Sequence, residues 1–157
     1  GNCVSTHCFA DANHAGDTET RRSQTGISLF CNTAPIIWFS ERQNSVEAST
    51  FGSEFTAMKN AVEMIEALRC KLRMFGVPTD GPTNAFCDNG AVVVNTARLE
   101  STLSKKHHSV AYHRVREAVA AETVRVSKEH TSANLADLFA KTLPSPRRED
   151  LLDSFAC

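Results

Sequence analysis

Two aspartates in this chain follow short apolar runs at points where the backbone turns. Asp11 comes after the run 8–10 and before a turn at 13–16, and Asp88 follows the run 83–87. A strand that carries an acid to its own end, where the backbone leaves the sheet, is how many α/β enzymes present a catalytic group. The position alone leaves open that either aspartate is a turn former.

Two further acids lie on predicted helices. Glu54 is in the first turns of a long helix that Ser49 or Thr50 can cap, and Asp137 is on a last helix predicted over Ala133–Leu143. An acid near a helix N-terminus also has a structural interpretation, since it favours the helix dipole. If the four acids meet, their like charges need a counter-charge, and oxygen ligands suit Mg²⁺ or Mn²⁺. Two such ions about 4 Å apart can activate a water and stabilise the leaving oxygen of a phosphodiester.

The order of the predicted elements brings the acids together. The pattern is βββ–α–β–α–α–β–α, with strands near residues 8–11, 27–31, 35–43, 83–87 and 123–127. The first three strands form an antiparallel meander, and helical crossovers imply right-handed parallel pairing of strands 1, 4 and 5. We therefore predict an α/β fold, a five-stranded mixed sheet with helices on both faces. Strands 1 and 4 would then end at the same edge, where ligands bind in such sheets.

Length and composition are those of one ordinary globular domain. The chain has 157 residues, 41% of them apolar and 22% charged, with a net charge of −1. It has no run of 18 apolar residues and no signal-peptide pattern, so we expect no membrane partner. Because it begins with Gly1, we expect a segment of a longer polypeptide, with a domain at 1–144 and a C-terminal tail at 145–157. The six cysteines form no CxxC pair, so we expect reduced thiols and no zinc site.

Seven short motifs run through nearly the whole chain. They are ADANHAGD (10–17), RRSQTG (21–26), APIIWFSERQ (34–43), STFGSEF (49–55), CDNG (87–90), SKKHHSVAYHRVRE (104–117) and ANLADLFAKTLP (133–144). In this ordered set the chain resembles the ribonuclease H (RNase H) domain of copia-type LTR-retrotransposon Pol polyproteins. The family's fold is the one predicted above. Carried across motif by motif, its catalytic acids fall on Asp11, Glu54, Asp88 and Asp137.

The resemblance implies metal-dependent hydrolysis of the RNA strand of an RNA–DNA hybrid, which leaves a 3′-hydroxyl and a 5′-phosphate. It implies two Mg²⁺ ions, replaceable by Mn²⁺, with Asp11 on both, Glu54 and Asp88 on one, and Asp137 on the other. The implied partners are the hybrid and the reverse transcriptase domain of the same polyprotein. The implied location is intracellular, in a cytoplasmic virus-like particle, with the nucleus as an alternative.

Two histidines bear on this resemblance. The family commonly has Trp where His14 stands, and we interpret His14 as a loop histidine near the substrate rather than as a metal ligand, because hard ions prefer oxygen. Many cellular ribonucleases H have a mobile histidine in the loop before the last acid. His130 lies seven residues before Asp137 and is a candidate proton shuttle or product-release group; the alternative is a loop histidine without a catalytic task.

Candidate substrate contacts fall in two groups. Four residues lie on loops at the predicted active edge, namely Asn13, Arg22, Ser23 and Asn89. Lys106 and Arg114 belong to a locally basic segment, 98–116, that could contact phosphates without reading sequence. The alternative for this segment is a solvated helix surface.

Two other functions remain open. One is a catalytically silent hybrid-binding or structural module, either domesticated or dependent on its reverse transcriptase neighbour. The other is a nuclease of the same fold that cuts DNA, as integrases do, for which three metal acids would be typical. Asp137, as the fourth acid, argues against the second alternative.

Overall fold

A five-stranded mixed sheet forms the centre of the molecule. The computed structural model describes residues 3–97 and 109–156. The strand order is β3-β2-β1-β4-β5, with β1 antiparallel to β2, β2 antiparallel to β3, and both β1–β4 and β4–β5 parallel. The strands are β1 (Thr6–Asn13), β2 (Gln24–Cys31), β3 (Ala34–Arg42), β4 (Thr83–Cys87) and β5 (Val124–Lys128). The predicted sheet is confirmed in strand number, order and direction.

Helices cover both faces of this sheet. They are α1 (Thr50–Met74), α2 (Gly90–Ala97), α3 (Ser109–Ala120), α4 (Asp137–Ala140) and α5 (Ser145–Ala156). Side chains alternate along β1, so Cys8 and Ala10 belong to the larger core under α1 and α3, whereas Phe9 packs with the smaller core under α4 and α5. None of the described helices is long and apolar enough to cross a membrane.

The long helix α1 begins and ends where its sequence predicts. Ser49 caps it, because its hydroxyl accepts a hydrogen bond from the Gly52 N–H at 3.2 Å. Gly76 follows the last turn with a φ of 71°, a left-handed conformation that favours glycine. Between these ends, side chains such as Phe55 and Ile65 are fully buried in the larger core.

The end of the chain differs from the prediction. The last predicted helix, Ala133–Leu143, is wrong in extent, because only Asp137–Ala140 is helical. Ser132 caps no helix; its hydroxyl instead hydrogen-bonds the ring of His130. Within the predicted tail at 145–157, Ser145–Ala156 form the helix α5, and its Leu151 is buried in the smaller core with Phe30.

Candidate metal centre

Parallel pairing of β1 and β4 places two aspartates side by side. Phe9 of β1 lies opposite Phe86 of β4; Asp11 is two residues further along β1, and Asp88 directly follows the end of β4. The carboxyl ends of these strands therefore deliver both acids to one edge of the sheet, as predicted. Asp11 is fully buried and Asp88 is half-buried.

Glu54 joins these aspartates from the first turns of α1. The start of α1 is fixed by the buried side chain of Gln43, which donates to the Ser53 carbonyl at 2.9 Å and to the Thr25 hydroxyl at 3.0 Å. Glu54 is 5% exposed. One carboxylate oxygen each from Glu54, Asp11 and Asp88 lie within 4.8 Å of one another. We call these three residues the acid cluster.

The fourth acid, Asp137, is placed by close packing of α4 against β2. Gly26 lies opposite Asp11 in the β1–β2 pair, and a Cβ at Gly26 would fall 2.5 Å from Ala140 N. The buried Asn134 holds the preceding loop, since its amide donates to the Ala10 carbonyl at 3.4 Å and its side-chain oxygen accepts from Ala136 N at 3.1 Å. Glycine at position 26 therefore lets the α4 backbone approach the sheet beside Asp11.

Lys141 joins Asp137 to the acid cluster. Its Nζ lies 2.8 Å from Asp137 Oδ1 and 3.0 Å from Asp11 Oδ2, and it donates to Asp11 Oδ1 at 3.2 Å. Asp137 is 3% exposed and also contacts Arg147, at 3.4 Å from Asp137 Oδ2. Burial works to lower the pKa of Lys141, but its hydrogen bond to Asp137 and the charge of Asp11 outweigh burial and raise that pKa.

Burial and mutual repulsion disfavour ionisation of the acid cluster. Burial raises the pKa of Asp11 to about 6, against the lowering effect of Lys141. Burial and, after it, the charges of Asp11 and Asp88 raise the pKa of Glu54 to about 9. Among the described residues, the buried Glu54 Oε2 has no hydrogen-bond donor, whereas Asp11 Oδ2 lies 3.0 Å from the Lys141 ammonium. All three members of the acid cluster offer carboxylate oxygens, so the donor set fits a hard divalent ion such as Mg²⁺ or Mn²⁺, which would favour their ionised forms.

Comparisons with known proteins agree with this architecture. The chain is 29% identical over 143 residues to a retrovirus-related Pol polyprotein from transposon RE2 of Arabidopsis thaliana, which covers 91% of this chain and 10% of the polyprotein. The N-terminal RNase H domain of rv2228c from Mycobacterium tuberculosis superposes with a TM-score of 0.64 at 10% identity, over 96% of this chain and 98% of that one. The chain is a homologue of transposon Pol polyproteins, and its fold is that of RNase H domains.

This RNase H-fold domain also superposes on LC11-RNase H1, solved in complex with an RNA/DNA hybrid. That match has a TM-score of 0.64 at 13% identity, over 86% of this chain and 93% of the other. No family model matches the sequence. The chain spans about a tenth of the length of the curated transposon relatives that it matches over most of its own length.

The loop residues predicted to contact substrate have different environments. Asn13 lines an open groove of about 580 Å³ that also includes Lys141. Arg22 is half-buried, and its carbonyl accepts from Asp17 N at 3.2 Å. Ser23 is fully buried, and its hydroxyl accepts from Ala15 N at 3.1 Å. The structure therefore brings Asn13 to the site, whereas Ser23 supports the β1–β2 loop from within.

Two of the remaining candidate substrate residues, Asn89 and Arg114, form contacts within the protein. Asn89 accepts from Ala91 N at 3.0 Å at the start of α2, beside Asp88. Arg114 pairs with Glu66 of α1 and, at 3.3 Å, with Glu117. These ion pairs favour a packing role for Arg114 in this structure. Lys106 lies outside the described residues.

Neither histidine joins the acid cluster. His130 is exposed, and its Nδ1 lies 2.6 Å from Ser132 Oγ and accepts from Ser132 N at 3.1 Å. His14 is half-buried, and its buried Nδ1 has no hydrogen-bond partner. The described acids and histidines that could share a metal ion are Asp11, Glu54 and Asp88. The structure thus offers no support for His14 as a metal ligand.

Three supporting residues were missed by the sequence analysis: Gly26, Lys141 and Arg147. A signal existed for Lys141, because it lies four residues after Asp137, the spacing of one helical turn. Its pairing with Asp11 joins distant parts of the chain and has no local signal. Arg147 donates to the carbonyls of Thr131 and Ser132 at 2.5 and 2.6 Å, so α5 holds the loop before Asp137.

Proposed function

We propose that this domain hydrolyses the RNA strand of RNA–DNA hybrids in a reaction that depends on divalent metal ions. The observation that carries the proposal is the acid cluster of Asp11, Glu54 and Asp88, with Asp137 joined to it through Lys141. These acids come from four separate elements, and they meet at the sheet edge where α/β folds bind ligands. The RNase H fold and the transposon relatives support the same reaction.

The acid cluster would hold one Mg²⁺ or Mn²⁺ ion, and Asp11 with Asp137 a second. Bound there, the ions would supply a nucleophilic water and charge stabilisation for phosphodiester hydrolysis. The protein's own task is to keep the carboxylates ionised and aligned in a buried site. The backbone of Ala12 assists by hydrogen-bonding Glu54, which opposes the rise in its pKa.

Two features support a nucleic-acid duplex as the substrate. The groove beside Lys141 is open and includes Asn13, Arg42 and Thr142, which offer hydrogen-bond donors to phosphate oxygens. LC11-RNase H1, which shares the fold, was solved with an RNA/DNA hybrid. Since the relatives are Pol polyproteins, we also propose that the domain acts next to a reverse transcriptase domain of the same polyprotein.

One observation favours the silent-module alternative. The ammonium of Lys141 already compensates two of the four acids, Asp11 and Asp137, without any metal. In that case the domain would bind hybrids but leave them intact. A cleavage assay separates these functions.

The experiment uses three labelled duplexes of one sequence: RNA–DNA, RNA–RNA and DNA–DNA. Purified protein is incubated with each in Mg²⁺, in Mn²⁺ and in EDTA. We expect cleavage of the RNA strand of the hybrid alone, with 3′-hydroxyl ends, and none in EDTA. Cleavage of DNA–DNA would instead favour an integrase-like nuclease. Binding of the hybrid without cleavage, in the isolated domain and in the longer polyprotein alike, would favour the silent module.

A further inference from the structure

Lys141 occupies the space between two buried acids that come from opposite ends of the chain. Its Nζ is within 3.0 Å of an oxygen of Asp11 and within 2.8 Å of one of Asp137. Both residues are buried, with exposed fractions of 0% for Asp11 and 3% for Asp137, so their negative charges require a cation close by. In this structure that cation is the lysine ammonium.

Glu54 and Asp88, the other two acids of the site, have no such cation in contact with them among the described residues. Among the described residues, neither Glu54 nor Asp88 forms an ion pair with a lysine or arginine, and Glu54 Oε2 lacks a donor. An ion in the acid cluster would therefore share only one ligand, Asp11, with the Lys141 ammonium. An ion between Asp11 and Asp137 would have to take the place of the ammonium.

The lysine can leave without disturbing the acids. Its backbone is held, since Lys141 N donates to the Asp137 carbonyl at 3.0 Å, but its side chain is 30% exposed and lines the open groove. A four-carbon stem can swing into that groove at little steric cost. Arg147 would still contact Asp137 after the ammonium has moved.

We propose that Lys141 is a built-in counter-ion of the Asp11–Asp137 pair that a second divalent ion must displace, so that the acid cluster fills first and the Asp11–Asp137 site fills second and more weakly. This inference rests on the proposed metal-dependent function. It assigns Lys141 a regulatory role in metal occupancy. The protein would stay folded and charge-compensated at low Mg²⁺ and complete its metal centre only as Mg²⁺ rises.

Isothermal titration calorimetry with Mg²⁺ tests this at fixed pH and ionic strength. Lys141→Met removes the ammonium and keeps the length of the side chain, Lys141→Gln keeps polarity without charge, and Lys141→Arg keeps the charge. Lys59→Met is the matched control, because Lys59 is a half-buried lysine that pairs with Glu63 on α1. We expect two unequal sites in the native chain. The weaker site should tighten about fivefold or more in Lys141→Met and Lys141→Gln, and should not change in Lys141→Arg or Lys59→Met.

A second readout is the melting temperature without metal. Lys141→Met should melt below the native chain in EDTA and recover on addition of Mg²⁺, because the metal replaces the lost cation. An unchanged weaker site in both uncharged variants would overturn the role of Lys141 and leave the proposed function standing. If the native chain binds no Mg²⁺, or if its tighter site survives Asp88→Asn, the proposed metal centre itself fails.

Discussion

Gly26 lies directly opposite Asp11 in the β1–β2 pair, and the backbone of α4 packs on it. A Cβ at this position would fall 2.5 Å from Ala140 N and closer still to the Ala136 carbonyl. Backbone atoms cannot move aside as the end of a flexible side chain can. The absence of a side chain at position 26 thus determines how near Asp137 comes to Asp11.

Gly26→Ala should therefore harm both stability and the site. We expect a loss of about 1–3 kcal/mol in the free energy of unfolding, from overpacking of α4 against β2. Urea denaturation measures this loss, and Mg²⁺ titration should show that the weaker site is impaired. Gly90→Ala is the control for stability, since its Cβ would meet only Lys128 atoms at 3.8 Å or more. Equal stability of Gly26→Ala and the native chain would contradict the close-packing argument.

Because the pKa of Glu54 in the acid cluster is raised, we predict that the metal-free protein loses stability as the pH rises. The pKa of Glu54 is about 9 when folded, against an ordinary value of 4.5 when unfolded, so the folded chain binds more protons between these values. The contribution of Glu54 to stability is then full below pH 4.5 and is lost as the pH climbs towards 9. The measurement is the melting temperature in EDTA from pH 5 to pH 9.

Two comparisons make this prediction specific. Glu54→Gln should flatten the pH profile, because the neutral amide has no proton to lose. Mg²⁺ should also flatten it, since a cation favours the charged carboxylates. A native profile in EDTA that rises or stays flat across this range would show that Glu54 is not held neutral by burial and by the charge of Asp11.

The hydrogen bonds of Arg147 indicate that α5 stabilises the loop before Asp137. Arg147→Met removes hydrogen bonds to the carbonyls of Thr131 and Ser132 and a contact with Asp137. We expect amide hydrogen exchange in residues 131–137 to quicken by about tenfold, because that loop opens more often. Arg148→Met, at the exposed neighbouring position, should leave this exchange unchanged. Equal protection in both variants would mean that α5 does not hold the loop.

His130 is predicted to assist turnover without binding metal. Its Nδ1 is engaged by Ser132, which leaves Nε2 as the ring atom that could exchange protons with a substrate or water. We expect His130→Ala to lower kcat by about 10–100-fold, with Mg²⁺ affinity unchanged. His113→Ala, an exposed histidine on α3, is the control. If His130→Ala keeps full activity, His130 is a loop histidine without a catalytic task.

Local patterns predicted most of the fold because they were strong and short-range. Alternating apolar residues defined the strands, and parallel pairing of β1 with β4 followed from the helical crossover. That pairing was enough to predict that Asp11 and Asp88 meet. The predicted cap at Ser49 or Thr50 likewise placed Glu54 in the first turns of α1, and the structure has Ser49 as the cap.

The sequence-based predictions are wrong where side-chain hydrogen bonds or contacts between distant residues override the local secondary-structure preference. The Asn134 side chain donates to the Ala10 carbonyl and accepts from Ala136 N, and these hydrogen bonds hold residues 133–136 out of the predicted helix. The helix α5 differs from the predicted tail at 145–157 because Pro144 and Pro146 are residues that typically end a helix. Pro146 instead lies in the first turn of α5, where a missing N–H costs little. The contact between Lys141 and Asp11 joins residues 130 positions apart, so no local sequence pattern could predict it.

The most direct test of the metal-centre account is Mg²⁺-dependent cleavage of an RNA–DNA hybrid by the native chain and by Asp88→Asn. Asp80→Asn is the matched control, because Asp80 is exposed near the opposite ends of β1 and β4. We predict that the native chain and Asp80→Asn cleave the RNA strand at the same rate. Asp88→Asn should be slower by about a thousandfold or more, since it removes a charged metal ligand. Equal cleavage by Asp88→Asn and the native chain would contradict the assignment of the acid cluster as the catalytic metal centre.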